Sequence, residues 1–252
     1  MTTNVFCRKS NVLASDSRWS YKIIDEFAIP SARAVAYVDD TGFDKIAFDE
    51  DTGFLFAGPG DVIERWRQWV EAKSPVMKRP DVAPNFAVCM TDLDSVEILF
   101  EHGQKVQDEH CRTAGTGAKP AYDCWVVNAD AQRAVTSAIG RDLLSGGSVK
   151  FLNGTDRTHN VNPTVDFASV ATAFLAKGMV MYPATPKAVP LEQAAKEDPR
   201  IAQLVAQVKG NQLSAEAPSG YDPVVWTPAD EARLDEALAK RAAKRASKMR
   251  AG

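Results

Sequence analysis

Residues 2–18 read TTNVFCRKSNVLASDSR, and the fold is decided by how this stretch is interpreted. Two short segments, residues 4–8 and 12–16, flank the polar Lys9, Ser10 and Asn11, which is the pattern of a β-hairpin. Thr2 then stands at a strand start, with Asp16 and Arg18 at the far end of the hairpin. Removal of Met1 would set the Thr2 hydroxyl beside a free α-amine, an arrangement in which threonine acts as nucleophile and its own amine takes the proton. Taken alone, a threonine here is an ordinary strand residue and Asp16 with Arg18 an ordinary surface pair.

Outward from the hairpin, residues 21–24 and 34–38 read as strands, broken by Pro30 and by the polar cluster 39–42. Lys45 precedes two further strands within residues 46–56 that turn near 49–53. Gly58, Pro59 and Gly60 form a loop opening a helix, with Asp61 as its cap and Val62, Ile63, Trp66, Trp69 and Val70 at helical spacing. Trp66 and Trp69 cannot both point the same way on one helix, so one is a core residue and the other a candidate inter-subunit contact. A loop over 74–84 leads to a hairpin of residues 86–90 and 96–100. Gly115 to Gly117 then introduce a helical region reaching Val127. Asn128 or Asp130 starts another helix, which ends at the Ser145, Gly146, Gly147 turn, and residues 149–152 form one more strand. Strands, helix, strands, two helices and a strand suit a layered α+β domain that closes near Gly154.

Residues 155–252 are a mostly helical extension of weaker pattern. Helices are expected within 165–175, within 191–209 with a break at Pro199, and from Thr227 and Pro228 to Met249, with a loop over 210–223. In the last helix Glu231, Asp235 and Glu236 precede Lys240, Arg241, Lys244, Arg245, Lys248 and Arg250, a polarity that suits the helix dipole on a solvated surface. The same run offers a contact to nucleic acid or to an acidic partner.

The 252 residues carry 30 Lys and Arg against 33 Asp and Glu, a formal charge of −3 that gives no overall bias toward nucleic acid. Four cysteines without paired spacing, and no basic segment followed by an apolar one at the start, lead us to expect reduced thiols and a cytoplasmic protein. Lys177 interrupts the best apolar run, 170–182, so no membrane span is expected. His102, His110 and His159 lack metal-ligand spacing, and neither metal nor cofactor is expected.

Several separated motifs are similar to those of the proteasome β-subunit family, including bacterial HslV-type peptidases and compact phage- or prophage-encoded relatives. Met1, Thr2 and Thr3 with VLASDSR (12–18) resemble the catalytic threonine hairpin and Asp-x-Arg element. Asp44, Lys45 and Ile46 resemble the lysine strand, and FAGPGD (56–61) the oxyanion turn. AGTG (114–117) resembles the Gly-Ser-Gly turn, and Asp142 with Ser145, Gly146 and Gly147 the Asp-x-x-Ser-Gly element. Thr116 replaces the usual serine, Pro59 has no N–H to donate, and the segment between Arg18 and Lys45 is longer than is typical.

The resemblance spans residues 2 to about 152. It implies an N-terminal-nucleophile hydrolase fold, a four-layer αββα sandwich, with the extension attached. It further implies Thr2 as nucleophile, Asp16 and Lys45 as the charged pair that tunes it, the Gly58 N–H as oxyanion donor, and Asp142, Ser145 and Thr116 as polar support. A cationic lysine nearby would ease loss of the hydroxyl proton, and a terminal amine beginning near ~8 needs only a small downward shift to serve as base. The oxyanion donor would contribute roughly 3 kcal/mol. By the same likeness the chain would be a threonine peptidase or amidohydrolase acting on a peptide or amide, assembled as a homo-oligomer, in the host cytoplasm if phage-encoded. A catalytically silent structural or assembly protein on this scaffold is the alternative, with the C-terminal helix contacting a partner.

Overall fold

The computed structural model describes residues 2–21, 34–72, 78–162, 166–182, 185–220 and 222–251. Met1, the expected strand residues 22–24, the break at Pro30 and part of the 74–84 connection lie outside them.

The opening hairpin forms: β1 (Thr3–Cys7) and β2 (Val12–Ser15) pair antiparallel with Val5 opposite Ala14. Asn11 turns the chain in the left-handed region at φ 53°, which asparagine tolerates better than most residues. β10 (Cys111–Gly115) takes the free edge of β1, placing Gly115 opposite Thr3. With β9 (Val106–Gln107) and β11 (Lys150–Asn153) these make an antiparallel sheet in the order β11-β2-β1-β10-β9. Neither β9 nor β10 is legible as a strand in the sequence.

Strand periodicity sends alternate residues of β1 to opposite faces. Val5 and Cys7 pack with Trp125, Ala134 and Val135 of α2 (Ala118–Asn128) and α3 (Ala131–Ile139). Asp130 caps α3, accepting from the N–H groups of Gln132 and Arg133. Phe6, Leu13 and Leu152 point the other way and meet Ile46, Leu55 and Cys89 of a second sheet.

The second sheet runs β13 (Thr185–Pro190), β12 (Met179–Tyr182), β4 (Val35–Val38), β3 (Trp19–Tyr21), β14 (Glu216–Ala217), β6 (Thr52–Pro59), β7 (Ala87–Asp92) and β8 (Ile98–His102), with β5 (Ile46–Phe48) also on β6. Its other face carries α1 (Gly60–Glu71), α4 (Ala168–Lys177), α5 (Leu191–Glu197), α6 (Pro199–Lys209) and α7 (Pro228–Ala251), in one core in which Trp66 of α1 joins Phe54, Phe56 and Phe86. The protein is therefore mixed α+β, with helices flanking antiparallel sheets. Strand pairing does not stop at Gly154, because β12 pairs with β4 and β14 lies between β3 and β6.

Several local expectations are corrected. Gly58 lies inside β6, not in a loop, and α1 begins at Gly60 behind Pro59 with no side-chain cap. Asp61 instead pairs with Arg65 one turn on. Trp66 is the buried member of its pair, and the half-buried Trp69 packs edge-on against it beneath the Arg241 guanidinium. Residues 216–217, expected in a loop, form β14. The basic run of α7 is only partly solvated: Lys240 makes an exposed pair with Glu236 within the helix, but Arg241 and Arg245 bind Asp49, Arg245 also binds Asp51, Lys244 binds Asp92 and Lys248 binds Asp94. Those aspartates sit at the β5–β6 and β7–β8 turns, so the acidic partner of the run belongs to the same chain.

Candidate active site

The hairpin register brings the start of β1 beside the end of β2, and Asp16 becomes the hub of the site. Its Oδ1 accepts from Thr2 Oγ1 at 2.5 Å, from Thr3 N–H at 2.8 Å and from Lys45 Nζ at 2.8 Å. Its Oδ2 accepts from Gly146 N–H at 3.0 Å and Arg18 N–H at 3.3 Å. Lys45 Nζ also donates to the Asp16 carbonyl at 3.1 Å. Burial pulls the Lys45 ammonium below its ordinary pKa, opposed by the charge and hydrogen bond of Asp16. Thr2, Asp16 and Lys45, three residues the sequence nominated, thus meet in a site shielded from water.

A second chain of polar groups supports β1 from the other side. Thr3 Oγ1 and Ser145 Oγ are 2.6 Å apart, and Ser145 Oγ donates to Asp142 Oδ2 at 2.7 Å. Thr116 Oγ1 donates to the same carboxylate oxygen at 2.6 Å. Thr116, Asp142 and Ser145 are therefore brought together, and they reach the nucleophile strand through Thr3. Gly115 and Gly117 make the approach close enough: a Cβ at Gly115 (φ 92°) would collide with the Thr2 carbonyl, and one at Gly117 with Thr3 Oγ1.

Gly58, the remaining nominee, lies at φ 130° near the end of β6, where a Cβ would come within 2.6 Å of the Asn85 carbonyl. Its strand is tied to the site twice. Asn4 Nδ2 donates to the Phe56 carbonyl at 2.8 Å, and Phe56 N–H donates to the Lys45 carbonyl at 2.9 Å.

Arg18, read from the sequence as the end of an Asp-x-Arg element or as a surface partner of Asp16, is instead buried and acts as a positioning residue. Its Nε and Nη2 bind both oxygens of Asp39 at 2.8 Å, its Nη1 donates to the Leu143 carbonyl at 2.8 Å, and its guanidinium stacks 3.7 Å from the Tyr37 ring centroid. This clamps the 143–147 turn that delivers the Gly146 N–H to Asp16. A Cβ at Gly146 would strike the guanidinium, so the glycine of the Ser-Gly-Gly run and the arginine of the Asp-x-Arg element are fitted to each other. Among the described residues no three His, Cys, Asp or Glu side chains are grouped so as to hold a metal ion, and no helix is long and apolar enough to cross a membrane.

The sequence matches no protein-family model, and no curated protein matches it.

Proposed function

We propose that this chain is a threonine hydrolase of the proteasome β-subunit kind, built on the N-terminal-nucleophile four-layer scaffold and acting on peptide or other amide bonds. The carrying observation is the buried contact of Thr2 Oγ1 with Asp16, which in turn holds Lys45. Helices, sheet, sheet and helices in succession support the scaffold reading, as does the antiparallel hairpin that opens it.

In this reading Met1 is removed, and the freed α-amine of Thr2 accepts the hydroxyl proton as Oγ1 attacks the substrate carbonyl carbon. Lys45 supplies positive charge beside the developing alkoxide, while Asp16 fixes both side chains. The Gly58 N–H stabilises the oxyanion. Collapse breaks the C–N bond, the proton passes from the α-amine to the leaving amine, and an ester to Thr2 remains. Water, deprotonated by the same α-amine, then hydrolyses the ester and restores the hydroxyl. A homo-oligomer and a cytoplasmic setting accompany this proposal.

A catalytically silent structural or assembly protein on the same scaffold is the second reading. The complete burial of Thr2 favours it. Intact mass, together with labelling by a threonine-directed electrophile and peptide mapping, separates the two. Loss of Met1 with the adduct on Thr2 supports the hydrolase; uniform retention of Met1 without an adduct supports the scaffold.

A further inference from the structure

The second sheet contains a segment from the far end of the chain. β3 and β6 each pair antiparallel with β14, so they run in the same direction, and residues 216–217 join them: Glu216 stands opposite both Ser20 and Pro59, and Ala217 opposite Gly58. Without this segment two strand edges would face one another across an open slot, and exposed edges of this kind accept an added extended strand.

The segment occupies the slot as an extended peptide would. Ala215, Ala217 and Ser219 are buried at alternate positions, while Ser214 is exposed and Glu216 and Pro218 half-exposed. It is held largely through its main chain. Gly60 N–H donates to the Ala215 carbonyl at 3.0 Å, Ser20 Oγ to the Glu216 carbonyl at 3.3 Å, and Gly115 N–H to the Ser219 carbonyl at 3.1 Å. Gly115 is the residue whose missing side chain makes room for the Thr2 carbonyl, so the segment is bonded to a residue that itself abuts the nominated nucleophile. Main-chain bonds and small inward side chains are not particular to this sequence. Any extended peptide with Ala or Ser at alternate positions satisfies the same donors.

We propose that residues 213–220 are a built-in occupant of a peptide-strand slot, displaced when an extended peptide with small alternating side chains enters. The inference rests on the hydrolase reading only for what the slot serves, since strand exchange itself can be read without catalysis. The segment offers just two ladder residues and small buried side chains, the profile of a locally opening element. Its tether makes it a competitor at an effective concentration in the millimolar range.

A fluorescein-labelled peptide Leu-Ser-Ala-Glu-Ala-Pro-Ser, the sequence of residues 213–219, is titrated by anisotropy against full-length protein. Ala217→Pro removes a main-chain donor from the occupant and should tighten probe binding at least ~10-fold by weakening the tethered competitor. Ser20→Cys with Glu216→Cys, at directly opposed positions, should block the probe when oxidised and admit it after dithiothreitol. Equal binding to wild type, Ala217→Pro and the oxidised pair overturns the proposal, as does binding to none of them. Electrophile labelling of the same samples keeps the two readings apart. Probe binding that follows the disulfide without any adduct on Thr2 sinks the hydrolase and leaves the slot standing. Thr2 labelling at one rate in oxidised and reduced protein sinks the occluding segment and leaves the hydrolase standing.

Discussion

Asp16 Oδ1 lies 2.8 Å from Lys45 Nζ, and neither side chain has exposed surface. A buried pair of this kind is poor evidence of net stability, because desolvation offsets much of the attraction, yet removing one partner strands the other. Lys45→Ala should therefore destabilise the fold by about 3–5 kcal/mol, read from urea midpoints. Asp16→Asn with Lys45→Met should cost less than the two single changes summed. Strict additivity would show that the two groups do not act as a unit.

The nucleophile assignment separates chemistry from folding. Thr2→Ala should lower amide hydrolysis by at least ~10³-fold. Asp16 keeps its bonds from Thr3, Arg18, Gly146 and Lys45, so the stability change should stay under about 1.5 kcal/mol. Thr2→Ser retains the hydroxyl and should retain measurable turnover. Unchanged hydrolysis by Thr2→Ala would dismiss Thr2 as the attacking group.

Glycine substitutions test the polar chain behind β1. Gly117→Ala drives a methyl into Thr3 Oγ1 and disturbs its contact with Ser145. The expected cost is about 1–3 kcal/mol, accompanied by slower electrophile labelling of Thr2. Gly140→Ala is the control, since a Cβ there meets nothing closer than the Ser137 carbonyl at 3.7 Å and φ is −77°. It should be neutral or stabilising by up to ~1 kcal/mol. Equal losses from both would mean that the close approach at Gly117 does not matter.

The α7 ion pairs predict an acid-sensitive helix. Burial raises the Asp51 carboxyl, but bonds from Arg245 and Thr52 outweigh it and hold the group below its ordinary value; Lys244 and the Ser95 and Asp94 N–H groups do the same for the buried Asp92. Between the depressed folded value and the ordinary value near ~3.9, the unfolded chain binds more protons. The stabilisation is thus complete above about pH 5, begins to fall near the ordinary value and is lost as pH falls through the folded values. Urea unfolding of wild type and a Lys244→Ala, Arg245→Ala double variant, from about pH 6 down to about pH 2, should show a stability difference that narrows with acidification. A constant difference would mean that these carboxylates do not hold the helix.

Much of this was legible because it is written locally. The short segments 4–8 and 12–16 around the polar Lys9, Ser10 and Asn11, the Asp130 cap and the Thr227–Pro228 helix start each depend on neighbours a few residues away. Asp198, accepting from the Arg200 N–H, lets one helix stop and another begin at Pro199 for the same reason. Thr2, Asp16 and Lys45 could be nominated from motif likeness, but their meeting needed Lys45 to cross to the end of the hairpin. What stayed hidden depends on distant partners. β10 reads as no strand until β1 offers it an edge, and the cations of α7 look solvated until two acidic turns are folded against them. The clearest case is Ala-Glu-Ala at 215–217, which carries no strand preference of its own. Its conformation is imposed by the two unpaired edges of β3 and β6, because backbone hydrogen bonds buried in a sheet must find partners whatever side chains supply them.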